Sequence, residues 1–293
     1  MPAVSVILPT CDRPHLVGRA LASILNQTWT DWEVILVDSN RATPPLHTQA
    51  GLAPLLVDAR IVVVREPHRP NAAAARNLGL QAARGEWITY LDDDDVFRPE
   101  KIAVQLARAN ESGAPLVLCG YTVVRPKRRR TRQVGVSEYR GDALLLEANW
   151  GTPMLFHRRD DRGRFDETLP VGHDEAFAHD FIARHGLTVV PNCPRSLVDV
   201  YPQPGARVHA DFDEVWRTYR VTCRRVGARY SHRARRGYLA MGRLVRAQAG
   251  HGNWAHFAGC AGRIFCTRGP GAWRLVANAT ARRLGWFKDW LVI

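Results

Sequence analysis

Four consecutive carboxylates, Asp92-Asp93-Asp94-Asp95, follow directly on the apolar and aromatic run Trp87-Ile88-Thr89-Tyr90-Leu91. A buried strand that ends in four like charges holds groups that repel one another and disfavour a helix interior. A hard divalent cation such as Mg2+ or Mn2+ relieves that repulsion and takes phosphate oxygens as well as carboxylates, so the chemistry on offer is a metal–diphosphate site. An acidic turn capping the next helix, with Pro99 and Glu100 in its first turn, accounts for the same spacing. What else the chain brings to this strand end decides between them.

A second acidic pair, Asp174-Glu175, opens a predicted helix that runs to about His185 and stops at Gly186. Carboxylates at a helix N-terminus are favoured by the dipole whatever their chemistry. A carboxylate fixed at the mouth of a phosphate site is also what a hydroxyl nucleophile needs as its general base.

The elements that must position these groups alternate. Val4-Ser5-Val6-Ile7-Leu8 reads as a strand buried on both faces, and Pro9 to Pro14 as a turn with Asp12 as N-cap of a helix over about 15–26. Further strands are predicted over 32–37, 61–64 and 86–91, with a helix over 71–83 between the last two that ends at Gly85. A helix over 98–112 and a strand over 116–121 follow, and the basic run Pro126 to Arg132 reads as a solvated hairpin tip. Strand and helix in alternation imply an α/β fold: a doubly wound, mostly parallel sheet with helices on both faces and ligands at the carboxyl ends of the strands. Asp12, Asp38 and Asp92 to Asp95 all fall at such ends. No G-x-G-x-x-G follows the first strand and no G-x-x-x-x-G-K-[ST] occurs, so phosphate charge must be met by a metal and by cations such as Arg76.

Charge divides the chain. Arg217 to Ile293 carries sixteen Lys and Arg against one acid, Asp289, a net of +15, while the first 216 residues hold the other 25 basic and 27 acidic residues. The boundary is placed near residue 210, with one domain over 1–210 and a basic, aromatic-rich helical region over 211–293. Helices are predicted there over 213–228, 233–248, 253–265 and 272–284, with Trp254, Phe257, Phe265, Trp273, Trp286, Phe287 and Trp290 among the arginines. Such a region packs on the main domain, lies against an anionic membrane surface, or binds nucleic acid. The six cysteines form no C-x-x-C pair. No basic-then-apolar leader opens the chain and no run reaches the roughly 18 apolar residues of a spanning helix, so a cytoplasmic protein is expected, peripheral at the inner face of the plasma membrane if the tail binds lipid.

Taken in order, Val4-Ser5-Val6-Ile7-Leu8-Pro9-Thr10 with Asp12-Arg13, Ser23-Ile24-Leu25-Asn26-Gln27-Thr28, Val37-Asp38, Ala75-Arg76-Asn77-x-Gly79, Tyr90 to Asp95 and Gly163-x-Phe165-Asp166-Glu167 resemble family 2 glycosyltransferases over about residues 1–190. The resemblance implies a GT-A type nucleotide-diphospho-sugar transferase fold, an inverting mechanism and a nucleotide-sugar donor. It places Pro9, Thr10, Asp12, Arg13 and Asp38 around the donor nucleotide, Arg76 near the diphosphate, and Asp92-Asp93-Asp94 as the D-x-D element. Asp92 would lie near the ribose or metal and Asp94 would be the direct ligand of Mn2+ or Mg2+. A glycan or lipid-linked acceptor would be activated by a carboxylate base, Asp174 or, in a register shifted by one, Glu175. Ser39-Asn40 stand where the family often carries a second acid, which bears on the choice of UDP. A nucleotidyltransferase on the same sheet is the competing enzyme class, and it would carry a Gly-rich, Lys- or Arg-bearing loop where this chain has Pro9-Thr10-Cys11-Asp12.

Overall fold

The computed structural model describes residues 1–40, 46, 51–66, 71–203 and 212–248. In chain order its elements are β1 (Val4–Thr10), α1 (Pro14–Leu25), β2 (Trp32–Asp38), β3 (Ile61–Arg65), α2 (Ala72–Ala82), β4 (Trp87–Tyr90), β5 (Val96–Phe97), α3 (Lys101–Ser112), β6 (Leu116–Arg125) and β7 (Arg128–Arg132). Then come β8 (Glu138–Arg140), α4 (Ala143–Leu146), β9 (Phe156–Arg158), α5 (His173–Arg184), β10 (Val189–Val200), α6 (Phe212–Val226) and α7 (His232–Gln248). The helices predicted over 253–265 and 272–284, with their aromatics, Cys260 and Cys266, lie outside the described residues.

Two compact units emerge. The first comprises Met1–Tyr139, Asn149–Thr168 and Val189–Pro204; the second comprises Arg140–Ala148, Leu169–Thr188 and Gly205–Ile293. The sheet of the first unit runs β3-β2-β1-β4-β9-β6-β10-β5. β1, β2, β3 and β4 are mutually parallel, and β9 is antiparallel to both β4 and β6.

Alternation along β1 explains how helices cover both faces. Val4, Val6 and Leu8 point into one core with Val17, Leu21 and Ile24 of α1 and Ile102 and Leu106 of α3. Ile7 points the other way, against α2. There a Cβ on Gly79 would stand 2.5 Å from the Ile7 Cγ2, so only glycine lets this helix lie so close to the strand. At the base of the sheet, Glu33 is 2% exposed and accepts from Ser5 Oγ at 2.7 Å and from the Arg84 guanidinium at 2.8 Å, which satisfies a carboxylate that burial alone would penalise.

Four local expectations are corrected. Asp12 does not cap α1: it sits at φ 54°, in the left-handed region, and the residue at the cap position is Arg13, with no side-chain cap bond. A short polar side chain serves a left-handed turn as readily as a cap, and here the turn swings Arg13 toward the aspartates. The third helix begins at Lys101, not Arg98, because Val96 and Phe97 are captured as a strand by β10 and the Arg98 N–H donates to Leu197 O at 2.9 Å. Asp95 does not cap that helix either; it accepts from the Tyr201 N–H at 2.9 Å. The basic run is a hairpin, but its tip is Pro126-Lys127, and Arg128 to Arg132 form β7 itself.

Candidate functional site

Parallel pairing brings three strand ends to one edge. Thr10 of β1 lies in register with Asp38 of β2, while Ile7 of β1 is level with Tyr90 of β4, so that Asp92 to Asp95 emerge beside Thr10. Two main-chain bonds fix this junction: Ser39 N to Thr10 O at 2.9 Å and Leu91 N to Ile7 O at 3.0 Å. Asp38 is buried and accepts from the Asn40 N–H at 3.0 Å and from Asn40 Nδ2 at 2.6 Å. Asn40 thus holds the Asp38 carboxylate in place, while the Ser39 N–H ties its backbone to β1.

Each aspartate of the run has a different fate. Asp92 is one-third exposed and pairs with Arg76 of α2, whose side chain is itself almost wholly buried. Asp93 is fully buried: Thr10 Oγ1 donates to it at 2.8 Å and Arg13 Nη2 lies 2.6 Å away. Burial pushes its carboxyl up to about 7, against the pull of the Arg13 guanidinium and the Thr10 hydroxyl. Asp94 faces Arg13 Nη1 at 3.4 Å, and its main-chain carbonyl accepts from Arg19, which stacks 4.0 Å over the Tyr201 ring. Asp95 is buried on Tyr201 N. The result is a turn whose buried members, Asp93 and Asp95, anchor it while Asp92 and Asp94 remain toward the edge.

Arg76 is positioned by neighbours that lie far away in sequence. Asn77, beside it on α2, donates to Phe165 O at 2.9 Å and to Glu167 Oε1 at 2.8 Å and accepts from Phe165 N at 2.8 Å. Phe165 in turn lies 5.8 Å from the Arg76 guanidinium and meets the Tyr90 ring edge-on at 5.3 Å. The Ala75-Arg76-Asn77 and Phe165-Asp166-Glu167 stretches, separate in the sequence, are one joint in the fold.

Thr10, Arg13, Arg76, Asp92, Asp93 and Asp94 therefore form one connected cluster, with Asp38 beside Thr10; Pro9 is part-buried in β1 and Asp12 is exposed. Asp174 and Glu175 belong to the second unit. Gly172, at φ 67°, turns the chain into α5, and Asp174 Oδ1 accepts from the Glu175 N–H at 2.9 Å. Glu175 lies 4.0 Å from His179 Nε2 and raises the Tyr238 hydroxyl pKa beyond what burial already does. His179 is buried with Nδ1 3.1 Å from the Tyr230 hydroxyl, and burial pushes its pKa down to about 3. Glu175 is thus set among the interior side chains of its own unit. Arg19, Asn77 and Tyr201 were not among the sequence-predicted residues; only Asn77 left a signal, as the neighbour of Arg76.

Among the described residues no group of three or more His, Cys, Asp or Glu is arranged to hold a metal ion. The donor set that is present, Asp92 and Asp94, is all carboxylate oxygen and sits in a single turn. That suits a small hard cation which keeps waters and substrate phosphates in its shell rather than an all-protein cage.

The fold and this edge define a nucleotide-sugar transferase architecture, and the chain belongs to glycosyl transferase family 2, whose family model matches residues 5–179. The ordered resemblance read from the sequence is borne out. The succinoglycan biosynthesis protein ExoO of Rhizobium meliloti is 30% identical over 209 residues, covering 65% of this chain and 58% of that protein. The Escherichia coli UDP-Glc:alpha-D-GlcNAc-diphosphoundecaprenol beta-1,3-glucosyltransferase WfgD is 26% identical over 121 residues, 41% of this chain and 46% of its own length. The chain thus spans about half the length of these relatives. The structure of Staphylococcus aureus TarS 1-349 in complex with UDP-GlcNAc superposes with a TM-score of 0.67 at 14% identity, covering 96% of this chain and 88% of that one. No described helix is long and apolar enough to cross a membrane.

Proposed function

We propose that this protein is an inverting glycosyltransferase that moves a sugar from a UDP-sugar to a hydroxyl of a lipid-linked or cell-surface glycan. The observation that carries the reading is the convergence of Thr10, Asp38 and Asp92 to Asp94 on one sheet edge, with Arg13 and Arg76 fixed among them. The donor named for TarS and the donor and acceptor named for WfgD support the choice of UDP and of a lipid-linked acceptor.

Asp38, fixed by Asn40, and Thr10 at the end of β1 receive the nucleoside. Arg76 and Arg13 put positive charge beside the diphosphate, where negative charge builds as the nucleotide departs. A Mg2+ or Mn2+ bound to Asp94 and Asp92 would supply Lewis-acid stabilisation of that leaving group. Asp174 takes the proton of the attacking hydroxyl; the setting of Glu175 against His179 and Tyr238 favours Asp174 over its neighbour. The basic 211–293 region lies against an anionic membrane surface at the inner face of the plasma membrane, a placement supported by the net charge of +15 from Arg217 to Ile293.

A thermal-shift screen of nucleotide sugars with and without Mn2+ tests the reading, because a ligand that binds only the native state raises the melting temperature. UDP-sugars are expected to raise it and to do so more with Mn2+. A rise with GDP-sugars alone overturns the choice of UDP, and no rise with any nucleotide sugar overturns the donor site.

A further inference from the structure

The donor site leaves the basic hairpin of the first unit unused. Its two strands, β6 and β7, pair Val123 with Arg130, Val124 with Arg129 and Arg125 with Arg128 around the Pro126-Lys127 tip. Directly opposed residues share a face, so Arg125, Arg128, Arg130 and Arg132 line one side of the ribbon with Tyr121 and Val123. Between Tyr121 and Arg140 the chain carries seven basic residues and one acid, Glu138. Pairing with β10 ends at Val123, so the tip residues reach past the sheet.

Strand direction says which way they reach. β6 is antiparallel to β9, and β9 is antiparallel to β4, so β6 runs with β4 and β1. The hairpin leaves the sheet from the edge at which Thr10, Asp38 and Asp92 stand.

Apolar side chains follow these charges where the chain has run back from the tip along β6: Gln133 Nε2 donates to Cys119 O at 2.9 Å, and a Cβ on Gly120 would stand 2.9 Å from Val134. Val134 is 43% exposed and Val136 39%, in the loop that leaves β7. That loop is held in place: Gln133 at φ 55° and Gly135 at φ 78° flank Val134, Asn192 Nδ2 donates to Gln133 O at 3.0 Å and to Val136 O, and Gly135 N donates to Pro194 O at 3.2 Å. A non-glycine residue in the left-handed region persists only where its surroundings enforce it, and here the enforced shape presents two valines to solvent.

We propose that the β6–β7 hairpin and the 133–136 loop form a docking surface for an anionic phospholipid bilayer. The guanidinium groups engage headgroup phosphates and the valines enter the headgroup boundary. Guanidinium forks match phosphate oxygens, and cations next to exposed apolar side chains are the pattern of interfacial binding. Single-stranded nucleic acid would call for aromatic stacking platforms, and no aromatic residue lies between Tyr121 and Tyr139. Docking along the β6–β7 side would set the donor edge beside the membrane, where a lipid-linked acceptor resides; that consequence, unlike the docking itself, rests on the proposed function.

Flotation of the full-length protein with phosphatidylcholine vesicles, with and without phosphatidylglycerol, tests this. The wild type is expected to float only with the anionic vesicles. Arg128→Gln/Arg130→Gln should weaken that partition about thirtyfold, from roughly fivefold for each basic residue removed from a membrane surface. Val134→Ser/Val136→Ser should leave the low-salt partition in place and lose the part that survives high salt. Both variants should keep the wild-type melting temperature and wild-type donor hydrolysis in the absence of vesicles. Unchanged vesicle affinity in both variants overturns the proposal, as does loss of oligonucleotide binding with vesicle binding intact. An inactive protein would sink the transferase reading and still leave the vesicle result readable.

Discussion

The two acidic clusters of this chain look alike in sequence and differ in what holds them. At the end of β4 every carboxylate has a partner from a different part of the fold: Arg76 for Asp92, Thr10 and Arg13 for Asp93, Arg13 for Asp94, the Tyr201 N–H for Asp95. At the start of α5 the two acids divide: Asp174 accepts from the next residue, while Glu175 faces His179 one turn on and the Tyr238 hydroxyl of α7. A helix N-terminus favours such acids on its own account. Four aspartates at a strand end have no such local support, so their long-range partners are the mark of a site built for charge.

The sharpest way to break this contrast is to remove its exposed members. Asp94→Ala should lower Mn2+-dependent transfer or donor hydrolysis on the order of a thousandfold, since metal stabilisation of a leaving group is worth several kcal/mol. Activity that survives in Asp94→Ala and remains metal-dependent would remove that residue from the ligand set. In the second cluster, Asp174→Asn should keep nucleotide-sugar binding and lose transfer by two to three orders of magnitude, as loss of a general base does. A fully active Asp174→Asn beside a dead Glu175→Gln would move the base to Glu175.

Within the first cluster the comparison turns from chemistry to stability. Asp93 is fully buried and Asp92 one-third exposed. Asp93→Ala leaves a void beside Thr10 and Arg13 and should cost about 3 kcal/mol in urea unfolding, whereas Asp92→Ala, which leaves the buried Arg76 at an edge open to water, should cost about half that. Equal costs would mean that the run is not divided into anchors and edge residues.

How much of this could be read from the chain follows the same division. Buried parallel strands announce themselves as continuous apolar runs, and their ends fall where the carboxylates stand, so the sheet and its edge were legible. Partners were not. Asp95 meets a backbone N–H 106 residues away and Asn77 meets Phe165 88 residues away, and no local period encodes such a pairing. The two-residue strand β5 likewise exists only because β10 is there to pair with it. Turn and cap draw on the same short polar side chains, so the sequence around Asp12 suits either.

The smallest effect tests the core beneath the site. Lys101 is fully buried, its Nζ on Thr89 Oγ1 and 3.9 Å over the Phe97 ring, and burial pushes its pKa from 10.5 down to about 7. Between those values the unfolded chain holds a proton that the folded chain has shed, so stability should rise with pH through that window. The neighbouring thiols act in the opposite sense. Burial pushes Cys119 up to about 12 and Cys193 up to about 11, from 9.0, so above pH 9 the unfolded chain loses protons that the folded chain keeps. The lysine effect is therefore read between about pH 7 and 9, and as the difference between wild type and Lys101→Met above that. Methionine fills similar space without a charge to desolvate, and Thr89 Oγ1 still donates to Leu155 O at 2.8 Å. The variant should be more stable at neutral pH by about 1–2 kcal/mol and lose the rise with pH in urea unfolding. A variant less stable than wild type at pH 7, with the same pH slope, would show that Lys101 is carried as a cation, held by the rings and the Thr89 hydroxyl.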